Sequence, residues 1–408
     1  MIILPFWSVN DGQFTLTPSC VDDSERYKAS GFNLIVEVVL AALGNSTTER
    51  VIKAFQKHIF LHNGTAIFCY GARSFIIDPA VSAPMARPEF RRQLLHPRYW
   101  ATWIGLGVWY ALCTLPYRAQ LFMGRALGRI LVRAASRRRK IAYANVSLCF
   151  PELSESQRQQ LADEVMESVG IAFFETGMAW FWPVRRLQRQ MSIDGIEHLE
   201  AAKQDGVGVI LMALHFTHID IGAKLLGLQF SIDGSYRPHK NAVFDYVQHT
   251  GRERHTMEGQ AMPREDVRGM VKALRKGRTM WYAPDQDYGR NNSIFVPFFG
   301  IPAATLSAMS QLSRLGKARV IPFTQTRKPD GSGYQLNIHP PLSDFPSGDE
   351  RQDCVAINQI VERLIREQPG QYLWVHRRFK TRPEGEADLY QPFGIERKVK
   401  RKNRVSPG

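Results

Sequence analysis

The stretch Val207 to Leu228, VGVILMALHFTHIDIGAKLLGL, limits the possible folds of this chain more than any other. Its first part, Val207–Leu214, is a short apolar run rich in aliphatic and β-branched side chains, which reads as a buried strand. From Ile219 onward, the apolar positions Ile219, Ala223, Leu225, Leu226 and Leu228 suit a helix better than a strand. His215 therefore ends the strand, and Asp220 lies in the first helical turn. Across a tight turn an imidazole and a carboxylate can meet. A carboxylate that holds one ring nitrogen leaves the other free to take a proton. The positive end of the helix favours Asp220 as an anion.

The spacing alone is weak. With 11 histidines in the chain, chance gives about one match to a His followed five residues later by an acid. The second match is His339–Asp344, where Pro340 and Pro341 make a loop with no helix to receive the acid. Only His215–Asp220 has the strand–turn–helix context. The other reading of His215, a hydrogen-bonded core histidine, stays open on local sequence alone.

Elements continue to alternate on either side. SESQ at Ser154 is a capping-box pattern for a helix over Glu155–Trp182. Within it, Glu175 stands alone in the aromatic run AFFETGMAWFW; a buried carboxylate there needs a partner, and we expect it to face the site. Downstream, Asp266–Lys276 reads as a helix ending at Gly277, and TMWYAPDQDYG (279–289) as a strand entering a loop with Asp285 and Asp287. Two acids at that spacing resemble metal ligands, but no third acid lies nearby, so substrate or structural contacts are expected. Ala303–Arg314 reads as a helix and Ala318–Thr326 as a strand. Tyr334–Ile338 is a further strand, Val355–Arg366 a helix and Gln371–His376 a last strand. Alternating strands and helices predict an α/β fold with a mixed, mostly parallel sheet flanked by helices. The His–Asp turn then falls at a strand's carboxyl end, where open α/β sheets place their sites.

The formal net charge of +15 points to an anionic partner. The excess lies beyond residue 84, because residues 1–84 hold 6 basic and 7 acidic residues. That segment has neither a secretory signal pattern nor an apolar run long enough to span a bilayer. We expect the functional chain to begin at Met85. Five scattered cysteines without a C-x-x-C pair suggest neither a disulfide framework nor a zinc knuckle.

Tyr99–Tyr117, YWATWIGLGVWYALCTLPY, contains no charged residue and is long enough to cross the hydrocarbon core. Arg91, Arg92 and Arg98 precede it, which places that side in the cytoplasm. The run is only moderately hydrophobic, so lying in the interface is the alternative. Next, Arg125, Arg129, Arg133 and Arg137 recur every four residues beside Leu127, Ile130 and Leu131. That pattern is a basic amphipathic helix suited to anionic headgroups. Further on, Arg237, in YRPHKN, and Arg252 and Arg254, in GRERH, are candidates for phosphate or oxyanion contacts.

These blocks, in order, resemble the late acyltransferases of lipid A biosynthesis. The resembling residues are PRYWATWIGLGV, NVSLCFPE, ETGMAWFWP, HFTHIDIGAK, YRPHKN, GRERH, WYAPDQDYG, FVPFFG, RKPDGSGYQL and QYLWVHRRFKTRPEG, from Pro97 to Gly385. The family falls in the glycerolipid acyltransferase-like superfamily, whose signature is the H-x4-D/E pair. Close relatives often carry Glu where this chain has Asp220. The resemblance is greatest to the lauroyl-transferring branch, with the palmitoleoyl-transferring branch next and a glycerolipid acyltransferase further off.

The resemblance implies transfer of a fatty acyl group, laurate in the closest branch, from acyl carrier protein to a hydroxyl on a 3-hydroxyacyl chain of Kdo2-lipid IVA. His215 would take the hydroxyl proton, Asp220 would hold the imidazole, and Arg252 would stabilise the oxyanion. Arg237, Arg254, Asp285 and Asp287 are the other expected substrate contacts. No metal, nucleotide or other cofactor is called for. The implied partners are acyl carrier protein, the lipid A precursor and membrane lipid, with the catalytic domain on the cytoplasmic side of the bacterial inner membrane. The expected organisation is an atypical extension over 1–84, a membrane anchor and basic helix over 85–140, the acyltransferase domain over 141–390 and a basic tail over 391–408. Other readings fit less. A zinc hydrolase using His215 and His218 lacks an evident third ligand. A nucleic-acid binder would explain the charge but not the apolar run, and a non-catalytic membrane scaffold would make the dyad dispensable.

Overall fold

The computed structural model describes residues 88–396, apart from 236–237, 260, 263–265 and 292, and two isolated hairpins nearer the N-terminus. The chain divides into two units, Met1–Pro84 and Met85–Gly408. In the first, Trp7–Asn10 pairs antiparallel with Gln13–Leu16, and Ala66–Tyr70 with Arg73–Ile77. Arg237 and the basic tail from residue 397 lie outside the described residues.

The second unit is built on a seven-stranded sheet. Its strands are β1 (Met191–Asp194), β2 (Val209–Ala213), β3 (Ile232–Ser235), β4 (Ala261–Met262) and β5 (Thr279–Tyr282), with β8 (Arg319–Arg327) and β9 (Tyr334–Ile338) after a separate hairpin. The order is β1-β9-β8-β2-β5-β3-β4, and only β8–β9 is antiparallel. The mixed, mostly parallel α/β expectation therefore stands. β2 is buried along its whole length, as its unbroken apolar run requires.

Helices cover both faces. The longest, α4 (Glu155–Phe181), follows α1 (Trp100–Thr114), α2 (Tyr117–Ala134) and α3 (Ser136–Cys149). α4 starts with the expected capping box, Ser154 and Gln157 satisfying each other's backbone amides. α2 lies tightly on α4 because glycines meet there: a Cβ on Gly170 would come within 2.3 Å of both Gly124 O and Gly128 N. The arginines of α2 consequently face outward, with Arg125, Arg129 and Arg133 exposed. Past β1 come α5 (Ile196–Gln204), α6 (Ile219–Gly227), α7 (Ala242–Glu253) and α8 (Val267–Arg275); α9 (Ala308–Gly316) and α10 (Glu350–Glu367) complete the layers.

Three expectations need correction. The apolar run Tyr99–Tyr117 is not a spanning helix. It breaks at Leu115–Pro116, leaving the 15-residue α1, about 22 Å long against a hydrocarbon core of roughly 30 Å. Among the described residues no helix is long and apolar enough to cross a membrane. Instead α1 lies along α4, with Trp109 stacked on Phe173 and donating to its carbonyl at 3.2 Å. Secondly, Ala303–Arg314 is not one helix. β6 (Ser293–Phe298) and β7 (Ile301–Leu306) form a hairpin, and α9 begins only at Ala308. The β-branched and aromatic content of SIFVPF explains the first arm. Finally, Gln371–His376 forms no strand; it makes a single bridge, Tyr372 to Phe216, among turns.

Candidate active site

His215 follows β2, and its side chain lies at the carboxyl end of the sheet, at the wall of a cavity of about 900 Å³. Asp285 arrives from the loop after β5, the parallel neighbour of β2. His215 donates from its backbone N–H to Asp285 Oδ2 at 2.8 Å and from Nδ1 to Oδ1 at 2.6 Å. The carboxylate only accepts, so the proton sits on Nδ1 and Nε2 carries a free lone pair. The Asp285 side chain is fully buried. Burial pushes its pKa up, the charge and two hydrogen bonds of His215 pull it down, and the pull prevails. For His215, burial pushes the pKa down and Asp285 pushes it up; the carboxylate prevails, and the imidazole lies above its ordinary 6.5.

This corrects the expected pairing of His215 with Asp220. The turn between them is tight, with Ile219 N–H donating to Phe216 O at 3.2 Å, but the His215 ring is turned to Asp285. Leu373 N–H donates to His215 O at 3.0 Å, and Thr217 N–H to Gln371 O at 2.8 Å, so the chain is drawn along the 371–373 segment before the helix starts. Asp220 instead receives Arg252, from Nε at 2.9 Å and from Nη2 at 2.8 Å. Both residues remain on the cavity wall.

Lys224, one turn beyond Asp220, was not singled out by the sequence. Its Nζ donates to the carbonyls of Gly251, Arg252 and Arg254 at 2.7, 2.8 and 2.6 Å, gripping the end of α7. Burial, and then the charge of Arg254, push its pKa down to about 7, while three carbonyls at a helix C-terminus favour the ammonium. The available signal was a lysine one turn after Asp220 in an otherwise apolar helix. Together Asp220 and Lys224 fix the side chain and backbone of Arg252.

The remaining candidates sort by distance from the cavity. Asp287 is buried and accepts from Gly289 N, Thr381 N and Thr381 Oγ1 at 2.8, 2.8 and 2.9 Å. It thus ties the HRRFKTRP segment to the loop that carries Asp285. His376, in that segment, accepts from Asp287 N–H at 3.3 Å. Burial, then Lys380 and His215, push His376 down to about 4, so it stays neutral near the His215–Asp285 pair. Arg254 is outside the cavity lining and donates to His255 Nε2 at 3.0 Å. Glu175 does not face the cavity either. It receives a two-pronged bond from Arg327 at 2.7 and 2.8 Å and one from Tyr334 OH at 2.7 Å, all buried. His218 turns away and donates from Nε2 to Gln325 O at 3.0 Å.

A histidine held by a buried carboxylate, with a free Nε2 at the wall of a largely apolar cavity, can deprotonate a hydroxyl beside an acyl chain. Sequence comparison agrees with that chemistry. The family of bacterial lipid A biosynthesis acyltransferases matches residues 87–381. The chain belongs to this family. It is 44% identical over 304 residues to the lipid A biosynthesis lauroyltransferase of Escherichia coli K12, covering 74% of this chain and 99% of that protein. It is 43% identical to the palmitoleoyltransferase of the same organism over 74% and 98% of the two chains. The myristoyltransferase is further off, at 32% over 74% and 94%. The chain is thus an acyltransferase whose match to the family runs over residues 87–381.

Proposed function

We propose that this acyltransferase moves a lauroyl group from the thioester of acyl carrier protein to the hydroxyl of a 3-hydroxyacyl chain on Kdo2-lipid IVA. The His215–Asp285 pair at the wall of an apolar cavity carries the reading. His215 Nε2 takes the hydroxyl proton as the oxygen attacks the thioester carbonyl carbon. The tetrahedral intermediate collapses, the C–S bond breaks, and the imidazolium returns the proton to the departing thiolate. Asp285 holds the ring and stabilises the imidazolium. Arg252, oriented by Asp220 and Lys224, meets the developing oxyanion or an anionic group of the acceptor.

The assay is incubation with lauroyl–acyl carrier protein and the tetraacylated disaccharide acceptor, read by mass spectrometry. The expected product carries one added lauroyl group, and none forms with His215→Ala. The near-equal identity to the palmitoleoyltransferase supports a second reading of the donor. A mixture of lauroyl and palmitoleoyl donors separates the two.

Membrane attachment belongs to the same proposal. Trp100, Ile104 and Val108 on α1 and Phe122 and Ile130 on α2 are more than half exposed, and exposed arginines flank them. Apolar burial beside arginines supports a helix pair lying in the headgroup region of the cytoplasmic face of the bacterial inner membrane, with anionic lipid beneath it. The chain should sediment with anionic vesicles and stay largely bound at high salt, because apolar burial is not screened. Complete release by salt alone would show the attachment to be electrostatic.

A further inference from the structure

The cavity beside His215 draws its walls from both faces of the sheet. Strand register shows this directly. Gly234 on β3 pairs with Trp281 on β5, which pairs with Leu211 on β2, so these three share one face. Met280 and Tyr282 on β5 and Met262 on β4 point to the other. The helices divide the same way. α6 and α7 pack with Leu211 and Trp281, whereas α8 and α9 pack with Met280 and Met262. Residues of both sets line the one cavity: Phe230, Ile232 and Gly234 on the α6–α7 side, and Met262, Met270 and Leu312 on the α8–α9 side. At about 900 Å³ the cavity lies near the top of the ~300–1,000 Å³ range of single small-molecule sites.

Resting on the acyl-transfer reading above, the geometry points to two apolar branches that meet at His215, one for each acyl chain of the reaction. The thioester carbonyl and the attacked hydroxyl must both reach Nε2 of His215, and each brings an apolar tail that has to leave the reacting atoms by its own route. The α6–α7 branch takes the tail of the lipid acceptor. It adjoins the inner side of α1, the helix whose outer side is apolar and exposed: Asn241, which caps α7, donates to Thr102 of α1 at 2.9 Å, and Trp180 of the cavity wall packs edge-on against the buried Trp109. Arg252, on the same wall, supplies charge for an anionic headgroup. The α8–α9 branch, lined by methionines and Leu312 on the opposite face, takes the donor chain, and its depth sets the chain length.

Gly234 is the residue that keeps the acceptor branch open. A Cβ built there meets nothing within 4 Å, and its φ is not among the positive ones, so a side chain enters free space without backbone strain. Ala308, at the start of α9, is a corresponding point in the donor branch.

The test uses the full chain, acyl carrier proteins loaded with a series of saturated chains in competition, and the tetraacylated disaccharide. Ala308→Leu should shift the preferred donor shorter by about two carbons and leave the KM for the acceptor within about twofold, whereas Leu312→Ala should shift the donor longer. Gly234→Leu should raise the acceptor KM about tenfold with the donor profile unchanged, and Gly234→Ala should do the same more weakly. If substitutions on the two faces move the same parameter, the cavity is one channel and the inference is overturned. If they move opposite parameters to those stated, the assignment of the branches is overturned. A thermal melt confirms that each variant is folded; where one is not, Gly234→Ala replaces Gly234→Leu, Ala308→Val replaces Ala308→Leu, and Leu312→Val replaces Leu312→Ala. Absence of any product from the unsubstituted chain refutes the acyl-transfer reading itself and this one with it.

Discussion

Asp285 and Asp220 both come near the reacting histidine's cavity, by opposite routes. Asp220 follows His215 by five residues on the same strand–turn–helix. Asp285 arrives from 70 residues along the chain, through the pairing of β2 with β5. The nearer acid in sequence is partly exposed, at 21%, and holds an arginine that is itself 43% exposed. The distant one is fully buried and holds both the backbone and the ring of His215. An exposed ion pair contributes about 0.2–1 kcal/mol. A buried carboxylate that loses its partner costs about 3–5 kcal/mol, so the Asp285 pairing is held in one geometry. The contrast separates a group that fixes the base from a group that places a charge at the rim.

His215→Ala should lower kcat by roughly 10³-fold or more, since no other group presents a free basic nitrogen at that point. Asp285→Asn should come close behind, roughly 10²–10³-fold, because an amide can donate to Nδ1 and so favour the wrong tautomer. The two should act as one unit: the double variant should be little worse than His215→Ala alone. Fully additive losses would show that Asp285 acts elsewhere.

The pH profile carries the same distinction. The base is active when neutral, and Asp285 holds the His215 pKa above 6.5. The acid limb of kcat/KM should therefore lie above that value. In Asp285→Asn the upward push is gone and burial remains, so the limb of the residual activity should move to lower pH. Asp220→Asn should leave the limb where it is. A limb that moves with Asp220 and not with Asp285 reverses the two roles.

Smaller effects belong to the rim. Asp220→Asn and Arg252→Ala should each cost about tenfold, expressed mainly in the KM for the acceptor, and the pair should be strongly non-additive. Equal losses in kcat with KM unchanged would put Arg252 on the transition state alone.

How much of this was legible follows from the same pair. The strand, the turn and the helix around His215 are local, and hydrophobic periodicity reveals them. Asp285 stood out as a site candidate, but its hydrogen bonds to His215 depend on which strands neighbour each other, and no single stretch encodes that. The 371–373 segment, which holds the backbone on either side of Phe216, reads as an ordinary strand in isolation. α1 shows the converse case. Its apolar residues were plain, but their destination was decided by Pro116 and by a glycine-bearing helix able to receive Trp109 and Cys113. Glu175 required a partner, and that partner, Arg327, lies 152 residues away.

The finest test keeps every charge and changes only reach. Asp220→Glu adds one methylene to a side chain at the rim. The Arg252 side chain is long and 43% exposed, so its guanidinium can follow a carboxylate that reaches further out. Activity should stay within about threefold of the unsubstituted enzyme. The same methylene at Asp285 has nowhere to go. The carboxylate there is enclosed and bonded at 2.6 and 2.8 Å to two atoms of one residue. A longer side chain must give up one of those bonds or displace the ring, so Asp285→Glu should cost roughly 10²-fold. Rates measured side by side for the two variants decide the point: comparable losses would mean that the two carboxylates do equivalent work, and a loss confined to Asp285→Glu would mean that only the distant acid is tied to the geometry of the base.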